Sequence, residues 1–205
     1  NGVIDKALSI ELNKSFLECI ITKGVDSDAL EVFKSKKNLR IITISEDFSL
    51  NSRSLRTVLG GYLIQDVDTA QIDIKNAPIV SKLKPKIDDY KSIILAWKLV
   101  RYVKSNAILI SNSNLILGVG AGQMSRVDSV KIAISKIEKN NLNLGSLVLA
   151  SDAFFPFPDS LEIANKAGIN IIIQPGGSIK DKEIIETADR LGMIMIFTGK
   201  RHFYH

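Results

Sequence analysis

Three short apolar runs, Ser146–Ala150, Ile169–Gln174 and Met193–Phe197, recur through the last third of the chain with amphipathic segments between them. Runs of this length bounded by turn residues read as buried strands, because helices of comparable burial are longer. Strands that alternate with helices admit few folds, and the one implied is an α/β layer architecture with parallel strands. The helices carry their own punctuation. Asp159 and Glu162 have capping-box spacing, Gly168 suits the C-cap of helix Asp159–Ala167, and Gly192 closes helix Asp181–Leu191.

The first part of the chain is less regular. Residues 5–14 read as a helix, Phe16–Thr22 as a strand, and Asp26 or Ser27 caps a helix running to about Lys36. Leu39–Ile44 reads as a buried strand, Ser45–Ser54 as a polar loop, and Tyr62–Ile64 as a strand after Gly60-Gly61. Pro78 and Pro85 with Lys75, Lys82, Lys84 and Lys86 mark an irregular connector. A boundary near Lys86 is expected, dividing the chain into 1–86 and 87–205. Beyond it, Asp88–Val103 is an amphipathic helix with Ile93, Ala96, Trp97, Val100 and Val103 on one stripe. Ala107–Ile110 and Leu115–Val119 form a hairpin around Ser111–Asn114, and a helix runs from about Arg126 to Lys139.

Composition limits the function classes. No apolar run approaches the roughly 20 residues needed to span a bilayer, and no basic-then-apolar leader opens the sequence. The lone Cys19 lies in the apolar run Leu17–Ile21 and is expected to be a buried thiol in a cytoplasmic setting. The net charge of +5 comes from scattered lysines without an aromatic-basic platform, so nucleic acid is not expected as a partner. Two histidines, His202 and His205, and one cysteine cannot assemble a usual zinc set, so no metal site is expected. The sequence opens on Asn1 rather than Met, which is expected of a piece of a longer protein.

In α/β sheets, ligands gather beyond the carboxyl ends of the strands. The polar loops there are Gly120–Arg126, Ser151–Asp159, Pro175–Ser178 and Thr198–His205. The second carries Phe154, Phe155 and Phe157 with two prolines that limit its conformations. A single aromatic ring is more often core than site, but three rings beside Ser151, Asp152 and Asp159 make a wall of a pocket the stronger reading. Gly118-x-Gly120-x-Gly122 ahead of a helix is either an anion cradle or a tight structural turn, and Pro175-Gly-Gly-Ser178 repeats the device. Asn106 is either a turn residue or an amide that orients a planar polar ligand. Arg201 and His205 belong either to a frayed tail or, since Phe203 and Tyr204 lie between them, to a packed tail that binds an anion and moves a proton. On these residues alone, a non-catalytic nucleotide- or anion-binding α/β module stands beside an enzyme.

The segments Ser151-Asp-Ala-Phe-Phe-Pro-Phe157, Gln174-Pro-Gly-Gly-Ser178 and Phe197-Thr-Gly-Lys-Arg-His-Phe-Tyr-His205 resemble the C-terminal end of the bifunctional AICAR transformylase/IMP cyclohydrolase family of purine biosynthesis. Lys104–Ala107, Gly118–Arg126, Lys37–Leu39 and Arg56–Asp66 fit the same family. The resemblance implies a three-layer αβα fold of cytidine-deaminase-like transformylase subdomains that lack the deaminase zinc. It places 1–86 at the end of the first subdomain and makes 87–205 the second. The activity it implies is formyl transfer from formyl-tetrahydrofolate to AICAR, in a cytoplasmic homodimer with sites at the subunit interface. Asn106 and His205 would then be catalytic, with Asn106, Arg126 and Arg201 binding AICAR. Ile44, Val127, Phe154, Pro156, Phe157, Asp159 and Ser178 would bind the folate, and Asp152 would stand near a monovalent cation such as potassium. Pro158 departs from the family, in which an arginine is common. The family's cyclohydrolase domain and its proton-transferring Lys-His pair would lie ahead of Asn1, so this chain alone is expected to be inactive.

Overall fold

The computed structural model of the chain describes residues 2–45, 53–138 and 145–205. They form two compact units, residues 1–67 and 68–205.

In the smaller unit, β1 (Val3–Ile4) leads into α1 (Lys6–Asn13), whose first turn is capped by Asp5 accepting from the Leu8 N–H at 2.7 Å. After β2 (Cys19–Thr22), β3 (Gly24–Val25), α2 (Ser27–Phe33) and β4 (Arg40–Thr43) follow. β1 pairs with β3 and β2 with β4, both in parallel. Ile4, Ala29 and Phe33 form a small core, with Leu12, Ile20 and Ile41 packed on it. Cys19 and Ile42 are exposed, which corrects the expected buried thiol and the expected fully buried strand. The physical reason is that β2 and β4 pair only with each other among the described residues.

A hairpin closes this unit, β5 (Arg53–Val58) against β6 (Gly61–Asp66). Its turn is made by Gly60 at φ +78°. Arg53 and Ser54 therefore belong to a strand, not to the expected polar loop, of which residues 46–52 lie outside the described residues. Every residue of β5 and β6 is exposed, so no alternation of apolar and polar positions marks β5 in the sequence.

In the larger unit, a 3-10 turn at Ile74–Asn76 precedes α3 (Asp89–Val100). Then come β7 (Ile108–Ser111), β8 (Ile116–Gly120), α4 (Arg126–Glu138), β9 (Val148–Ser151), α5 (Asp159–Lys166), β10 (Ile171–Gln174), α6 (Asp181–Arg190) and β11 (Ile194–Phe197). The sheet order is β11-β10-β9-β7-β8. β9, β10 and β11 run parallel, while β7 runs antiparallel to both β9 and β8. Alternate strand residues feed two cores. Ile108, Ile110, Leu149 and Ile172 pack against Val130, Leu161 and Ile184 of α4, α5 and α6. Leu109, Val148 and Ile173 pack against Ile93, Trp97 and Val100 of α3. Helices thus cover both faces, and this unit is a three-layer αβα sandwich.

Residues 68–86 belong with this sandwich. Val80 N–H donates to the Met195 carbonyl (3.0 Å), Phe197 N–H to the Pro78 carbonyl (2.9 Å), and Met195 N–H to Ser81 Oγ (2.8 Å). The units divide at Val67/Asp68, whereas the expected boundary lay near Lys86. Prolines and lysines mark irregular backbone, and here that backbone runs along the edge strand. Two helices close as their glycines require: Gly168 (φ +80°) and Gly192 (φ +66°) take left-handed conformations just past α5 and α6. At the start of α5 the N-cap position is Pro158, so Asp159 is the first helical residue and not the expected cap. No helix among the described residues is long and apolar enough to cross a membrane.

Candidate functional site

The register fixes which loops meet. Ser151, at the end of β9, lies opposite Ile108 at the start of β7, and Gly120, at the end of β8, lies on the other side of Ile108. Gln174 and Phe197 end the parallel strands β10 and β11. The loops after β8, β9, β10 and β11 and the chain entering β7 therefore share one end of the sheet.

An ion pair organises that end. Arg126, the first residue of α4, donates to the Asp152 carboxylate, and the two side chains are 8% and 0% exposed. Asp152 also accepts from Ser105 Oγ–H (2.5 Å) and the Ala107 N–H (3.2 Å). Arg126 further donates to Ser151 Oγ (2.9 Å) and to Asn106 Oδ1 (3.0 Å). A buried charge pair with this many hydrogen bonds is rigid, and each partner depends on the other for compensation. Asn106 is held from every side. Its side-chain amide N–H groups donate to the carbonyls of Gln123 (2.9 Å) and Met124 (3.3 Å), and its backbone carbonyl accepts from Ser129 Oγ–H (2.7 Å). The amide plane is fixed, and one lone pair of Oδ1 remains for a ligand.

Next to this network is a cleft of about 550 Å³. Its lining combines Asn106, Ser125, Arg126 and Val127 with Phe154, Pro156, Phe157 and Asp159. Arg201 and Phe203 from the tail complete it. The Arg201 guanidinium stands 4.9 Å from the centre of the Phe154 ring, and Lys180 Nζ stands 5.0 Å from that of Phe157. The loop divides its rings: Phe155 is 1% exposed and plugs the core, with its N–H bonded to Gln174 Oε1 (2.8 Å), while Phe157 is 53% exposed. Asp159 is exposed and accepts from the Ser160 N–H (2.7 Å).

The tail is packed. His202 N–H donates to the Asp152 carbonyl (2.9 Å), Ser105 N–H to the Tyr204 carbonyl (2.8 Å), and Tyr204 N–H to Ser105 Oγ (3.1 Å). His202 is 1% exposed, bonds Asp68 through Nδ1, and lies 4.4 Å from the Trp97 ring. Burial pushes its pKa below the ordinary 6.5, against the pull of the Asp68 hydrogen bond and charge.

Three of the expected site residues are not among those lining the cleft. His205 is exposed, with its ring 5.5 Å from that of Phe203. Ser178 lies in the loop after β10, where its Oγ accepts from the Lys180 N–H (3.1 Å). Ile44 belongs to the smaller unit, where its N–H donates to the Thr22 carbonyl (2.9 Å). Sequence reasoning missed Phe203 and Ser125 as lining residues and missed Asp152 as the partner of Arg126. No pattern in sequence pairs residues 26 positions apart.

Both glycine loops resolve to structural turns. A Cβ at Gly118 would stand 2.1 Å from the Ala133 carbonyl oxygen, and one at Gly120 would stand 1.9 Å from that of Ser129, so these glycines let α4 lie against β8. After β10, the N–H groups of Gly177 and Ser178 donate to the Asp181 carboxylate at 2.7 and 3.1 Å, so the chain supplies its own anion. Among the described residues, no group of three His, Cys, Asp or Glu side chains gathers around a point that would hold a metal ion.

The profile of the AICARFT/IMPCHase bienzyme family matches residues 1–136. The bifunctional purine biosynthesis protein PurH of Bacillus mycoides (strain KBAB4) is 50% identical over 206 residues, covering all of this chain and 40% of that protein. PurH of Bacillus thuringiensis (strain Al Hakam) is 49% identical over the same share. The chain thus spans about 40% of the length of these relatives. Among solved structures, the dCMP deaminase of cyanophage S-TIM5 in apo form aligns with a TM-score of 0.36 and 16% identity, over 55% of this chain and 98% of that one.

Proposed function

Because this chain belongs to the AICARFT/IMPCHase bienzyme family, we propose that it is the C-terminal portion of an AICAR transformylase acting in purine biosynthesis. The reaction carries the formyl group of formyl-tetrahydrofolate to the exocyclic amine of AICAR. The observation that carries this reading is the cleft itself. It brings together an apolar, partly exposed aromatic surface (Phe154, Pro156, Phe157), a carboxylate (Asp159) and a fixed amide and guanidinium (Asn106, Arg126). A pterin needs such a combination, a flat apolar face with an acceptor for its ring N–H groups. A carboxamide-bearing imidazole needs the other, an amide of fixed orientation.

Arg201 stands at the cleft with no ion pair among the described residues, so its guanidinium is the group offered to the nucleotide phosphate. Arg126 acts differently: with Asp152 as its counter-ion it holds Asn106 in place and presents its remaining N–H groups. The amine of AICAR is a weak nucleophile and must lose a proton as the new C–N bond forms. That proton transfer is assigned to the Lys-His pair that the family resemblance places ahead of Asn1, and this sequence contains no Lys-His dipeptide. The chain therefore supplies binding and orientation, and formyl transfer requires the longer protein, proposed to be a homodimer.

Calorimetric titration with AICAR and with a folate analogue tests this. Saturable binding of both is expected, with folate affinity reduced about tenfold or more, roughly 1.4 kcal/mol, by Phe154→Ala and by Asp159→Ala. Binding that instead follows any polyanion and vanishes with added salt would overturn it and favour a general anion-binding module.

A further inference from the structure

From Arg201 to Phe203, exposure alternates. Arg201 is exposed, His202 is 1% exposed and Phe203 is 38% exposed. Adjacent side chains hang from one backbone, so fixing His202 constrains Arg201 and Phe203 on either side of it. Arg201 and Phe203 line the cleft, while the ring between them points into the protein. That ring is gripped on two sides: Nδ1 is bonded to Asp68 Oδ2, and the face lies against Trp97 with the planes inclined at 47°. Asp68 is itself held, since its Oδ1 accepts from the Ala70 N–H (3.0 Å) and its carbonyl from Arg101 (3.4 Å). A carboxylate only accepts, so Nδ1 is the donor to Asp68, and His202 Nε2 is buried without a partner.

We propose that His202 is a positioning residue for the cleft, whose Nδ1–H bond to Asp68 locks the tail so that Arg201 and Phe203 face the ligand. It rests on the reading of the cleft as a ligand site, but not on the identity of the ligand. Asp68 lies 134 residues away in sequence, at the start of the larger unit, so the tail is referenced to a part of the sandwich that carries no lining residue.

Three variants separate the hydrogen bond from the bulk of the ring. His202→Asn keeps an N–H donor near the position of Nδ1, His202→Gln moves the donor toward that of Nε2, and His202→Ala removes it. Amide hydrogen exchange at His202 and Tyr204 reads the lock directly, and exchange at Ile172 in β10 serves as the folding control. Calorimetry with AICAR reads its effect on Arg201. Expected is a loss of tail protection and of AICAR affinity of about tenfold or more in the Ala and Gln variants, with the Asn variant within about threefold of the parent and Ile172 unchanged throughout. Equal behaviour of all three variants, whether all intact or all impaired, would overturn the proposal, because the donor at Nδ1 would then not be what positions the tail. If the parent chain binds no AICAR, the transformylase reading falls, and the exchange measurement still decides the role of His202.

Discussion

Asp152 and Arg126 show what a single buried charge does for this site. The Asp152 side chain is fully buried, and three donors converge on it from Ser105, Ala107 and Arg126. Asp152→Asn keeps the shape but leaves the Arg126 cation buried without compensation, a change that costs about 3–5 kcal/mol. Urea unfolding is expected to show that loss, together with a weaker hold on Asn106 and hence weaker AICAR binding; a loss below about 1 kcal/mol would refute this account of the pair. At this scale, the residue types of the site were legible in the sequence, but their pairing was not. The loop Ser151–Asp159 announces itself by composition, yet nothing in it tells that Phe155 turns to the core while Phe154 and Phe157 turn to the cleft. That division is set by Gln174, which reaches from β10 to the Phe155 N–H.

Glycine spacing at β8 carries the lesson at the level of elements. Gly118, Gly120 and Gly122 have the look of a phosphate cradle, and the same spacing arises when a helix must lie close on a strand. Gly118 and Gly120 fall on one face of β8, two residues apart, and that face meets the backbone of α4. Gly120→Ala is expected to push α4 away and to cost about 3 kcal/mol or more, the upper end for overpacking, visible as a lower melting temperature. Gly177→Ala is the contrast. There φ is +90° but no atom stands within 4 Å of the added carbon, so only the backbone strain of about 1–2 kcal/mol applies. If the two variants lose the same stability, close approach is not what Gly120 provides. Strand–helix alternation made the sandwich readable because its buried strands are short uniform apolar runs. β5 escaped because a strand exposed on both faces has no periodicity to read.

At the scale of the whole molecule, the decisive question is where the cleft-bearing unit begins. Every lining residue of the cleft lies between Asn106 and Phe203, but residues 68–86 supply what holds the edge of the sheet and the tail. Val80, Pro78 and Ser81 bond β11, Lys82 N–H donates to Asp189 at 2.7 Å, Ile74 is buried among α3 residues, and Asp68 anchors His202. Each hydrogen bond contributes about 0.5–1.5 kcal/mol, and the buried isoleucine about 1.5–3 kcal/mol. A chain of residues 68–205 is therefore expected to unfold cooperatively and to retain the cleft's ligand binding. A chain of residues 87–205, cut where composition changes, is expected to lose at least about 3 kcal/mol of stability and the protection of its tail amides. Chemical denaturation of the two fragments side by side checks this: equal midpoints would mean that residues 68–86 are a passive connector, as their prolines and lysines imply, and that the sandwich holds its own edge.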